Sequence, residues 1–228
     1  MNTFTGQTVL ESGTLRVASL NSFTTGKGQP SSSLGAPIDI EAAEIVMGEE
    51  DQDGDCTLIY TGAGESTDRV FNLVGKTFTV TFDHSGTGPL TFTTPLLISG
   101  YGANKTIVLK GDTVGVGEIT GPITDPHDRT GKATTAITKA GNGTWTLSGH
   151  NTATGPTKIT AGTLCLATAK SLGTASAVDV GRGATLDLSF QGEMRIGKLS
   201  FEGVPQPSGT YNAKNAPQFI KGQGVLTL

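Results

Sequence analysis

The feature that most constrains this chain is a repeat: residues 2–18 match residues 151–167 at a constant offset of 149. Asn2 and Asn151, Gly6 and Gly155, and the triplets Gly13-Thr14-Leu15 and Gly162-Thr163-Leu164 coincide. After an 11-residue change of offset the match resumes, with Ser33-Leu34-Gly35 against Ser171-Leu172-Gly173. A shorter period lies around the second copy, where glycine-led strands begin at Gly143, Gly162 and Gly183, 19 and 21 residues apart. Self-similarity at this spacing is what a stack of coils produces, because one coil cannot bury its apolar face alone and must lay it against a neighbour. The expected fold is all-β, a parallel β-helix (β-solenoid) with about 20 residues per coil.

Each unit reads as a glycine corner followed by a short strand in which every second residue is apolar. Period-two alternation sends one set inward and the other to solvent. The inward set is Trp145 and Leu147, Leu164 and Leu166, Leu186 and Leu188, with Leu15 and Val17 as their counterparts in the first copy. Arg16 and Cys165 share an outward position, so Cys165 is expected to face solvent, while Cys56, on the face of Leu58 and Tyr60, is expected to be buried. Weaker strands at 157–160 and 177–180 give two or three strands per coil. The chain divides into a first repeat copy (1–42), irregular coils (43–138), a second copy (139–190) and a closing unit (191–228), all in one solenoid without a linker. Residues 22–33 read as a polar loop. About 10 or 11 coils at the ~4.8 Å spacing of paired strands would make a rod about 50 Å long.

Composition supports a turn-rich β protein: 33 glycines and 36 threonines stand against 13 aromatic residues. Charged residues are 16% of the chain and the net charge is -4. No cluster of lysine or arginine is interleaved with aromatics, so nucleic acid is not an expected partner. No apolar run reaches the ~18 to 20 residues of a membrane span, and the start lacks a basic and apolar leader, so as written the chain carries no signal peptide or membrane anchor. Cys56 and Cys165 match no zinc or redox spacing, and their pairing stays open.

Lys139-Ala-Gly-Asn-Gly-Thr-Trp-Thr-Leu-Ser-Gly-His-Asn-Thr-Ala-Thr-Gly155, running into Ile159-Thr-Ala-Gly-Thr-Leu164, resembles the autotransporter-associated β-strand repeat, also called the passenger-associated transport repeat. A partial copy occupies 2–17, residues 54–139 resemble the longer spacer units between such repeats, and 203–228 is similar to the unit that closes many arrays. The resemblance implies a right-handed parallel β-helix, secreted or presented at the cell surface as a non-enzymatic structural stalk. The alternative is an adhesin-type module that binds surface glycans or proteins. The family's C-terminal membrane barrel is missing and the chain starts in mid-repeat, so it reads as a fragment whose open first strand would favour end-to-end self-association.

Asp51, Asp53 and Asp55 alternate as calcium ligands do, but the EF-hand pattern fails, with Cys56 at the glycine position and Gly62 where a glutamate is required. Calcium is a minor expectation beside a solvated loop, and no other cofactor is expected. Asp83-His84-Ser85 and Asp125-Pro126-His127-Asp128 hold the residue types of hydrolytic triads, but sequence neighbours on a strand point to opposite faces. His84 and His127 are expected on the surface, and His150 in a variable turn. A β-helix polysaccharide-degrading enzyme would need two carboxylates about 5 to 10 Å apart, for which Asp39, Asp179 and Asp187 are the outward candidates. The segment Gly111–Gly117 reads as a turn, lacking the lysine and helix of a phosphate loop.

Overall fold

The computed structural model describes residues 1–23, 31–50, 52–76, 78–99, 103–127, 131–173 and 176–228. Its strands stack as the walls of a parallel β-solenoid. The long wall runs through Gly13–Val17, Cys56–Tyr60, Phe78–His84, Lys105–Lys110, Thr135–Lys139, Thr157–Ile159, Ala177–Val180 and Lys198–Phe201, all parallel. An antiparallel strand, Val204–Pro205, closes it. The second wall runs from Glu65–Thr67 through Leu90–Phe92, Val116–Ile119, Thr144–Leu147, Thr163–Leu166 and Thr185–Leu188 to Ile220–Gly222. A third wall, Thr8–Leu10, Ile45–Met47, Phe71–Leu73 and Leu97–Ile98, is confined to the N-terminal coils among the described residues. Among the described residues the coils from Cys56 to Ile98 have three strands and those from Lys105 to Leu166 have two. A small sheet of Glu193–Arg195, Val225–Thr227 and Thr210–Tyr211 ends the stack.

The alternation expected from the sequence is the alternation observed. Trp145, Leu164, Leu186 and Ile220 stand in register in one buried column, and Leu147, Leu166 and Leu188 in the next. Each side chain thus packs on its own counterpart one rung away, and one contiguous apolar core runs along the stack. Phe71, Phe82 and Phe92 meet in tilted and edge-on pairs with centroids 4.7 to 5.2 Å apart, geometries that set ring edges against ring faces, and Trp145 joins them at 6.0 Å from Phe92. The indole has room because its partner in register is Gly117: a Cβ there would lie 2.5 Å from the ring.

Coil length is regular only where the repeat is. Ile137, Thr157, Val178 and Leu199 succeed one another at 20, 21 and 21 residues, but Leu15 to Leu58 takes 43 and Ile107 to Ile137 takes 30. The long wall accordingly has eight parallel rungs, spanning about 34 Å at ~4.8 Å per step, and not the 10 or 11 rungs that a uniform period would give. The extra residues leave the wall: the first long connection holds the helix Ile40–Ala43, whose N-terminus is capped by Asp39 accepting from the Ala42 N–H at 2.7 Å.

His84 is a second correction. It was expected on the surface, yet it is 2% exposed. Its parity explains this, because Phe78, Val80, Phe82 and His84 are one inward set and His84 stands in register with Tyr60. Its Nδ1 accepts the Gly86 N–H at 3.3 Å and its Nε2 faces Gly115, where any side chain would collide. Burial lowers its pKa.

Candidate functional site

The residues that could carry chemistry are dispersed. Asp51 and Asp128 lie outside the described residues, as do 24–30 of the polar loop. Glu49, Glu50, Gln52, Asp53 and Asp55 form an exposed connection, and the Asp55 carboxylate accepts the Thr79 N–H at 2.8 Å. Among the described residues no three His, Cys, Asp or Glu side chains converge as a metal site would need. Asp83 turns outward to accept the Ser85 hydroxyl at 2.6 Å, with Lys110 at 3.5 Å, while His84 points into the core. Asp125 is consumed by the Thr135 and Thr154 N–H groups, and His127 and His150 are exposed. Of the three outward carboxylates, Asp39 caps the helix, Asp179 sits on the long wall and Asp187 on the second wall. No pair of them shares a face.

Both cysteines are free. Cys56 is fully buried and desolvation raises its pKa, whereas Cys165 is half-buried and outward, between Thr146 and Asp187 in register. Leu15, expected in the core, is half-buried against it, and Val17 is 3% exposed.

Sequence reasoning missed the polar groups that enter the interior. Lys139, quoted as the first residue of the repeat motif, is inward: it follows Thr135 and Ile137 in parity and is fully buried. Its ammonium donates to the carbonyls of Ala140 and Gly141 at 2.7 Å and of Ala161 at 3.2 Å, binding one corner to the next. Three donors meet three acceptors, which is how a buried ammonium is tolerated. Burial still lowers it to about 8, and lowers Lys105, which donates to the Lys76 and Ala103 carbonyls, to about 8 as well. Asn151, the asparagine of the motif's turn, accepts the Ile123 N–H of one coil and donates to the Ser171 carbonyl of the next, both at 2.7 Å. Arg69, 1% exposed, ties the Leu34 and Ala43 carbonyls to the third wall. These groups fasten corners to one another, and strand parity was the readable signal for Lys105 and Lys139, which lie on strands.

What the exterior offers is a pair of flat, hydroxyl-bearing walls. On the second wall Thr144, Thr163 and Thr185 form one outward column and Thr146, Cys165 and Asp187 the next. On the long wall Thr57, Thr81, Val108, Thr138, Lys158 and Asp179 stand in outward register. Such a surface supplies hydrogen-bond donors and acceptors at one rung per coil and little charge. Among the described residues no helix is long and apolar enough to cross a membrane.

Residues 2–17 and 137–165 match the passenger-associated-transport-repeat family, so the match includes Lys139, Asn151 and the Trp145 and Leu164 rungs. Over 140 residues, 60% of this chain, the sequence is 38% identical to a protein described as adhesin BmaC autotransporter from Brucella suis biovar 1 (strain 1330). The chain spans 4% of that relative's length. No solved structure gives a significant match. The chain is a parallel β-solenoid in which residues 2–17 and 137–165 match the passenger-associated transport repeat, and its sequence is similar to part of an autotransporter adhesin.

Proposed function

We propose that this solenoid is a non-enzymatic segment of a passenger that is secreted or displayed at a bacterial surface, and that it acts there as a rigid scaffold for adhesion. What carries the reading is the unbroken ladder of eight parallel strands over one continuous core, fastened at its corners by Lys139 and Asn151. In such a stack each coil contacts only its neighbours, so length and rigidity scale with coil number while the outer residues are free to vary. The named adhesin among its relatives supports an adhesive role. A pure spacer is the second reading, favoured by walls that carry threonine and few exposed aromatic side chains. Binding of the purified chain to a broad array of glycans and surface proteins, with calcium and with chelator, separates them: reproducible binding supports adhesion, and silence in both conditions leaves the spacer.

A further inference from the structure

The closing unit differs from the coils in how it treats its aromatics. In the coils Phe71, Phe82, Phe92 and Trp145 are sealed, each 1% exposed or less. At the C-terminal end Phe201 and Phe219 stack face to face, with centroids 4.4 Å apart and planes 7° from parallel, and Tyr211 stands edge-on to Phe201 at 6.0 Å. Phe219 and Tyr211 are only half-buried, while Ile220 and Leu226 beside them are fully buried. The ring surface left over lines a cleft of about 320 Å³, together with Gln206, Asn215 and Gln218. That is the small end of the ~300–1000 Å³ range of ligand sites, which combine aromatic walls with a few placed polar groups.

We propose that this cleft binds a neutral saccharide. A pyranose ring has one face of weakly positive C–H groups, which suits the negative face of an aromatic ring, and a rim of hydroxyls that both donate and accept. The cleft answers both. Phe219 and Tyr211 supply the apolar floor. The rim is carboxamide: Gln206 donates to the Val204 carbonyl at 2.9 Å and keeps its oxygen as an acceptor, and Gln218 is exposed. The rim is also held in place, because Asn215 accepts the Asn212 N–H at 2.9 Å and donates to the Thr210 carbonyl at 2.8 Å, and the Tyr211 hydroxyl donates to the Pro207 carbonyl at 2.8 Å. None of the lining residues is a carboxylate, lysine, arginine or histidine, so the cleft provides no counter-charge for an acidic sugar or a phosphate. A cleft whose rim is largely held in place lowers the ordering cost of binding.

The proposal rests on the adhesive reading, and its test separates the two. Saturation-transfer NMR on the full chain uses cellobiose, maltotriose, lactose and N,N′-diacetylchitobiose as neutral probes and a galacturonate trimer as the acidic one. The expected result is transfer to at least one neutral probe, reduced at least fivefold by Phe219→Leu and about threefold by Gln218→Ala. Thermal melts establish that both variants remain folded, and Gln218→Ala, an exposed rim substitution, keeps the test valid if Phe219→Leu is destabilised. Equal transfer to the galacturonate trimer overturns the assignment to neutral sugars. Binding unchanged by both substitutions overturns the cleft while leaving adhesion standing. Absence of transfer to every probe, in a chain that still binds surface proteins on the array, overturns the cleft alone; absence of both overturns the cleft and the adhesive reading together.

Discussion

Replacing Gly117 by alanine drives a methyl group into the indole of Trp145. The new Cβ would lie 2.5 to 2.6 Å from three ring atoms, where carbon contacts are comfortable at about 3.5–4.0 Å, so roughly 1 Å of separation has to be found. The ring cannot easily supply it. Its Nε1 donates to the Lys110 carbonyl at 2.8 Å, Leu164 packs in register on the other side, and the ring is 1% exposed. Overpacking of this kind costs about 1–3 kcal/mol, and the upper half of that range fits a site pinned on both sides. For a chain of this size each kcal/mol moves the midpoint by about 2–4 °C, so a fall of roughly 4–12 °C is expected in a thermal melt followed by far-ultraviolet circular dichroism. Trp145→Leu alone creates a cavity and leaves the Lys110 carbonyl without its donor, at a cost of about 2–5 kcal/mol. In the double variant the methyl group occupies vacated space, so its cost beyond Trp145→Leu should be at least 1 kcal/mol less than in the wild type, a coupling read from the double-mutant cycle. A Gly117→Ala midpoint within 1 °C of wild type, or strictly additive costs, refutes the packing argument.

Other consequences follow from the corner fasteners and the titrating groups. Asn151→Ala orphans a buried N–H of Ile123 and the Ser171 carbonyl in one step, and should cost about 2–4 kcal/mol by urea denaturation at unchanged slope. Lys105 and Lys139 sit at about 8 in the fold and 10.5 when free, so the unfolded chain holds more protons above pH 8. Stability should therefore rise from pH 8 to 9, at up to ~1.4 kcal/mol per pH unit per lysine, and Lys139→Met should remove about half of that slope. Above pH 9 the raised Cys56 and Tyr60 oppose the gain, because the unfolded chain then loses their protons first. A thiol reagent should modify Cys165 in the native protein and Cys56 only after unfolding, as desolvation keeps Cys56 in its inert thiol form; mass spectrometry of the labelled peptides checks this.

The solenoid was legible because its two strongest signals are local: a glycine corner and period-two leucines recur wherever Gly143, Gly162 and Gly183 begin a unit. The coil count was not, because the insertions between Val17 and Cys56, and between Leu109 and Thr135, leave the wall without changing strand grammar. Parity alone would have placed His84 and Lys139 inside, since each continues an inward series, Phe78-Val80-Phe82 and Thr135-Ile137. Residue type argued for solvent, and the register won because glycine at 115 and the corner carbonyls beside Lys139 make room and partners for them. The C-terminal cleft could not be read at all. Phe201, Tyr211 and Phe219 look like ordinary apolar residues of a closing unit, and only the fold shows two of them left half open.

The scaffold role depends on rungs stacked in the observed register, and a distance along the long wall tests that most directly. Thr57 and Ser200 are outward in the same column, six rungs apart through Thr81, Val108, Thr138, Lys158 and Asp179. Spin labels at Thr57→Cys and Ser200→Cys, in a chain carrying Cys56→Ala and Cys165→Ser, should give a single narrow double electron–electron resonance distance near 29 Å, six steps of ~4.8 Å. A broad distribution, or a distance beyond about 40 Å once the length of the labels is allowed for, would contradict the stacked solenoid and with it the scaffold role built on it.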